Sequence, residues 1–175
     1  MSKRAKQLIL ASAVPILVLL GMAVLPLYTL LNGVEIMLQT RPVDPSDPFR
    51  GDYVNLSYQA EQVPKELVEA DVVRKVEHGS GQVPVYVLLE KKNGVHVPVN
   101  VSLKKPASGI YLKGRLDYIS PSENQKVVAY IQYSLDKYFV EDDTGRNWED
   151  AASKGGLLAK VKVFNGYAYL TDIVK

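Results

Sequence analysis

A chain of 175 residues, 47% hydrophobic and 23% charged, is long enough for one folded domain and cramped for two. It contains no cysteine, which excludes disulfides, thiolate metal sites, cysteine nucleophiles and a lipid-modified cysteine. The formal charge of +2 is unevenly spread: Lys3, Arg4 and Lys6 precede the first acid, which leaves 18 of the 21 basic residues against 19 acidic ones, and so balanced a domain has no electrostatic footprint for nucleic acid.

Leu8 to Leu31 is a run of 24 residues without a charge. At about 1.5 Å per residue, a helix of that length crosses a hydrocarbon core of roughly 30 Å. Pro15 and Pro26 would break a helix in water but are tolerated in one surrounded by lipid. Tyr28 stands where an interfacial aromatic belongs. A cleaved signal peptide has a shorter apolar stretch of about 7–15 residues, and the one small-residue triplet, Ala11-Ser12-Ala13, lies inside the run. The expected layout is a basic cytoplasmic segment over residues 1–7, a transmembrane anchor over 8–31 and an extracytoplasmic domain over 32–175. The positive-inside rule puts Lys3, Arg4 and Lys6 in the cytoplasm.

Val34 to Leu38 reads as a short strand directly after the anchor. Arg41 to Tyr53 then carries Pro42, Pro45 and Pro48, which remove three backbone donors and disfavour helix. Asp44 and Asp47 suit Asx turns. From Tyr53 to Tyr58 strict alternation sets Val54, Leu56 and Tyr58 on a buried face, and Tyr53, Asn55 and Ser57 opposite. Residues 61–77, with apolar positions at Val63, Leu67, Val68 and Val72, suit a short amphipathic helix. Two strand-like runs flank Asn93-Gly94, the sequence of a type I′ hairpin. Ile110–Ile119 and Val127–Val140 are further strands, the second alternating through Val127, Ala129, Ile131, Tyr133 and Leu135. Asn147 to Lys154 suits a helical turn. Leu158 to Val174 repeats the hairpin pattern around Asn165-Gly166. About seven or eight strands with tight turns predict a mainly β chain: a transmembrane helix followed by an antiparallel β-barrel or sandwich with one or two short helices.

The stretch Arg50-Gly51-Asp52-Tyr53-Val54-Asn55-Leu56-Ser57-Tyr58 resembles the signature of the bacterial GDYxxLxY family, matched here by Gly51, Asp52, Tyr53, Leu56 and Tyr58. Arg41 and Asp44 lie in a similar upstream segment. A second stretch has the family's look, Lys137-Tyr138-Phe139-Val140-Glu141, then Gly145, then Glu149-Asp150-Ala151, although Glu141-Asp142 stands where proline is common. The resemblance covers nearly the whole chain. It implies a membrane-anchored layout and carries no reaction. A weaker resemblance is to type I signal peptidases, which pair an anchor with a β-rich outer domain. Their chemistry needs a serine poised against a neutral lysine. Ser46, the nearest upstream serine, sits between Pro45 and Asp47, outside any such motif.

Other candidate sites read more simply as structure. Asp44, Asp47 and Asp52 could offer oxygen ligands to a hard cation, but their spacing fits no calcium loop and suits turn capping. Arg41 and Arg50 are natural partners for Asp52 or for lipid phosphates. His78 and His96 lie in different segments, so no metal or catalytic set is expected from them. Tyr53, Tyr58, Tyr130, Tyr133, Tyr138 and Trp148 suit either a ligand groove or cross-strand packing.

The expectation is a membrane-anchored binding or accessory module with no catalytic residue, metal or cofactor. Its partners would be the lipid bilayer and a membrane protein or assembly. The segments expected to engage them are Arg41–Tyr53 and Tyr138–Trp148, held close to the membrane plane. The alternatives are a diverged signal-peptidase-like hydrolase and a small-ligand or lipid-binding β-barrel.

Overall fold

The computed structural model describes residues 3–42, 53–79, 81–122, 126–135, 137–139 and 157–174. It opens with one continuous helix, α1 (Lys3–Asn32), which runs through both Pro15 and Pro26. Its stretch Ala11–Asn32 is long and apolar enough to cross a membrane. Leu17, Leu19 and Met22 are exposed, an apolar surface of the kind that lipid can cover.

One residue, Gly33, joins α1 to strand β1 (Val34–Arg41). Its amide donates to the Thr29 carbonyl at 2.8 Å. A Cβ there would stand 2.4 Å from that oxygen and 3.2 Å from the Val163 nitrogen, so glycine is demanded by close approach. The Tyr28 ring packs edge-on against Phe164, with centroids 4.6 Å apart, and Thr29 is fully buried beneath the domain.

The described part of the domain holds eleven strands in chain order, together with the short helix α2 (Ala70–His78). A first sheet has the order β11-β10-β1-β3, where β3 is Ser57–Tyr58, β10 Leu158–Phe164 and β11 Tyr167–Val174. The second has the order β4-β8-β7-β5-β6: β4 is Gln62–Pro64, β5 Val83–Lys92, β6 Val95–Ser102, β7 Ile110–Pro121 and β8 Val127–Gln132. A separate pair joins β2 (Tyr53–Asn55) to β9 (Lys137–Phe139). Ladder pairings throughout are antiparallel, apart from an isolated parallel bridge between Val68 and Val101. The core lies between the two main sheets. Ile36, Leu38 and Val161 of the first sheet share one buried cluster with Val87, Leu112 and Ile131 of the second and Val72 of α2. Each such side chain contributes about 1.5–3 kcal/mol by leaving water.

The β-rich expectation holds, and so do both Asn-Gly hairpins. Three local expectations need correction. The strand expected from Tyr53 to Tyr58 is two short strands parted at Leu56, β2 pairing with β9 and β3 with β1. The helix expected over 61–77 is confined to α2 at Ala70–His78. Upstream of it, Gln62–Pro64 pairs with β8, and Lys65–Leu67 forms one 3-10 turn. Pro64 cannot sustain a helix interior, and Val63 buries its side chain from a strand instead. The run Val127–Val140 is broken rather than one strand. Ser134 takes φ of 57°, and the chain leaves the second sheet there before entering β9. The expected alternation holds for Ala129, Ile131, Tyr133 and Leu135, which are all buried, but not for Val127, which is exposed at the start of β8.

Candidate functional site

A cleft of about 550 Å³ opens where the end of β1 meets β7 and β8. Arg41 enters it from β1, Ser57 from β3, and Arg115 and Asp117 from β7; Tyr130 and Gln132 come from β8. Gly114 allows β7 and β8 to approach, because a Cβ there would lie 2.6 Å from Ile131 Cγ2 and 3.0 Å from the Gln132 carbonyl oxygen. That approach sets Arg115 opposite Gln132. The register then slips between Leu116 and Tyr118, so Asp117 is the extra residue of a β-bulge. Bulges re-aim side chains. Here Tyr118 lies opposite Tyr130, and their rings stack at 4.5 Å. Asp117 Oδ1 is buried with no hydrogen-bond partner among the described residues.

The cleft floor is held by a polar frame. The Tyr58 hydroxyl donates to the Leu135 carbonyl at 2.7 Å, and the Tyr133 hydroxyl to the Ala60 carbonyl at 2.7 Å. The Tyr58 amide donates to Glu61 Oε2 at 3.1 Å. Burial pushes the Tyr133 phenol far above its ordinary range, and the Glu61 carboxylate pushes it the same way, so it remains a donor at any physiological pH. Removing the Tyr58 hydroxyl (Tyr58→Phe) should cost about 1–3 kcal/mol, because the buried Leu135 carbonyl would lose its donor. Chemical denaturation of the purified protein checks this.

The motif residues divide between framework and cleft. Leu56 and Tyr58 are core side chains, although Leu56 also borders the cleft. Arg41 lies on the cleft wall. The backbones of Tyr53, Val54 and Asn55 pair with Phe139, Tyr138 and Lys137, which joins the two family-like stretches in one ladder. Asp44, Asp47, Arg50, Gly51, Asp52, Gly145 and Trp148 lie outside the described residues, as does the turn expected over Asn147–Lys154. Of the aromatic set, Tyr130 and Tyr133 line the cleft, and Tyr58 is buried away from it.

Sequence reasoning missed Arg115, Asp117, Tyr118 and Gln132. The available signal was Arg115 and Asp117 two apart in a β run, which puts charge on one face of a strand; the bulge that re-aims them leaves no mark in the sequence. His96 also proves structural. Its Nδ1 accepts the Met37 amide at 3.1 Å, bridging β6 to β1. Burial holds its imidazole below the ordinary histidine range, and the Lys91 ammonium adds to that effect. Among the described residues no three His, Asp or Glu side chains gather as a metal cluster.

Fold and site together define a β-rich domain headed by an apolar helix, with a polar cleft that includes Leu56 of the motif. The chain belongs to the GDYXXLXY protein family, whose model matches residues 15–173. Neither a curated protein nor a solved structure matches it.

Proposed function

We propose that this chain is a noncatalytic accessory module, anchored by α1 and held outside the cytoplasm, that binds another membrane protein through the cleft and the adjoining β2–β9 pair. The observation that carries the reading is the β2–β9 pairing, which joins two segments distant in sequence and leads directly into Leu56 and Ser57 of a cleft also walled by Arg41 and Arg115. Pairs of arginines and stacked tyrosines are the side chains that dominate protein recognition. The chemistry of the wall supports a binding role. The wall sets Arg41 and Arg115 beside Glu61, Asp117 and the hydroxyls of Ser57 and Ser134, groups that can hydrogen-bond a partner's polar side chains. The basic residues Lys3, Arg4 and Lys6 support the orientation.

Purification from the native membrane in mild detergent tests this. Wild type should bring down one membrane protein in stoichiometric amount. Arg115→Glu should weaken that capture about tenfold or more, while Lys75→Glu on the exposed face of α2 should leave it intact. Wild type migrating alone would end the proposal.

A second reading, a small polar ligand in the cleft, is favoured by the buried Asp117 Oδ1, which has no hydrogen-bond partner among the described residues. A ligand donor placed there would satisfy it. In that case Asp117→Asn should abolish ligand-induced thermal stabilisation and leave protein capture unchanged.

A further inference from the structure

The anchor end of the domain is built differently from the cleft. Phe164 ends β10 and packs on Tyr28, which lies four residues before the end of α1. Four residues are about 6 Å along a helix axis. The β10–β11 turn, Asn165-Gly166, is therefore drawn down level with the last turn of the apolar helix.

Lysines surround that turn. Lys105 Nζ lies 3.3 Å from Asn165 Oδ1 and 5.8 Å above the Tyr111 ring. Lys104 is its exposed neighbour. The Lys113 amide donates to the Gly166 carbonyl at 2.9 Å, and its side chain is exposed. Lys162 stands beside Gly33, where α1 ends, and faces Glu35 across the ladder. Leu31 and Val34 are exposed on either side of the same junction. Basic groups above apolar and aromatic ones form the pattern that an anionic membrane surface attracts. These lysines lie far in sequence from α1, beyond the short flank whose charge orients an anchor.

We propose that this end of the domain, through Lys104, Lys105 and Lys113 around the β10–β11 turn, rests on the anionic phospholipid headgroups of the bilayer that α1 crosses. The proposal depends on the anchor reading of α1. It gives the lipid a definite place: headgroup phosphates contact the lysine rim, and the Asn165-Gly166 turn lies at headgroup depth. The one-residue junction at Gly33 leaves no slack for the domain to stand off the surface.

The absence of cysteine makes any introduced cysteine a unique labelling site. Full-length Ser108→Cys, Gln132→Cys and Leu20→Cys proteins, each carrying a nitroxide, are reconstituted into phosphatidylcholine vesicles with and without phosphatidylglycerol. Access of a water-soluble relaxation agent is then read for each. At Ser108, in the loop that carries Lys104 and Lys105, phosphatidylglycerol should shield the label. At Gln132, on the cleft wall, it should change nothing. Salt at 1 M, where the screening length falls to about 3 Å, should undo the shielding. Each of Lys104→Gln, Lys105→Gln and Lys113→Gln should lower the ratio of shielded to free loop about fivefold. Equal access at Ser108 in both vesicles, with Leu20 protected, overturns the proposal and leaves the anchor standing. An accessible Leu20 removes the anchor reading and this proposal with it. The lipid and salt comparisons need no lysine variant, so a variant that folds poorly does not decide the outcome.

Discussion

At the β5–β6 turn Asn93 and Gly94 take φ of 51° and 87°; at the β10–β11 turn Asn165 and Gly166 take 50° and 78°. Sequence and backbone are the same, and the surroundings are opposite. A Cβ on Gly94 would meet nothing within 4 Å. On Gly166 it would stand 2.5 Å from the Tyr111 ring and 2.9 Å from Lys113 Cγ. Asn165 takes contacts from Lys105 and Tyr111, and the neighbouring Phe164 packs against the anchor. One hairpin ends in open space; the other is the joint through which the domain meets its helix. The same local code thus serves as a free end in one place and a structural contact in the other.

The sharpest test of that contrast is Gly166→Ala. It combines left-handed strain with overpacking against Tyr111 and should cost about 2–5 kcal/mol in chemical denaturation. Gly94→Ala meets only the backbone strain, partly offset by a stiffer unfolded chain, and should cost about 1 kcal/mol. Equal losses for the two would break the comparison. Asn165→Ala should then exceed Asn93→Ala by about 0.5–1 kcal/mol, the worth of the polar contacts that the inner turn makes and the outer one lacks. A difference that vanishes would mean that Lys105 and Tyr111 do not hold the turn.

The smallest effect concerns how the outer hairpin is tied to the first sheet. The folded pKa of His96 lies below the ordinary 6.5, so below that pH the unfolded chain binds more protons than the folded one. His96 therefore contributes its full stability above pH 6.5, and loses it as pH falls from there through the lowered folded value. Protonation also removes the acceptor that Nδ1 offers to the Met37 amide. Unfolding midpoints measured from pH 7.5 down to 5 should fall less steeply in His96→Gln than in wild type.

Much of this architecture was legible because its causes are local. Two prolines inside an uncharged run still read as a lipid-facing helix, and α1 is continuous through both. Alternation around Leu56 and Tyr58 predicted their burial, and both are in the core. Reading 61–77 as one helix failed because apolar spacing alone cannot separate a helix from a strand followed by a turn and a helix. Val63 is buried from β4 and Val72 from α2, and the same spacing serves both.

The cleft was only partly legible. Arg41 was singled out for its place beside the motif and does line the wall. Its neighbours come from β7 and β8, more than seventy residues along the chain. The distance of the motif from the anchor was also decided by the fold. An eight-residue β1 separates Arg41 from the end of α1 by about 23 Å of strand, at roughly 3.3 Å per residue.

By itself, the sequence determined the apolar helix, the two type I′ turns, the inward faces of the strands and the family. Each follows from neighbouring residues: uninterrupted apolarity, the tolerance of Asn-Gly for positive φ, and the two-residue period of a strand. Only the tertiary structure decided that β2 pairs with β9, that a bulge re-aims Asp117 toward the cleft, and that one Asn-Gly turn packs beneath Tyr111 while its twin stands free. These depend on which strands meet and in what register. Register between distant strands is set by the combined packing of two sheets, and no short stretch of sequence encodes it alone.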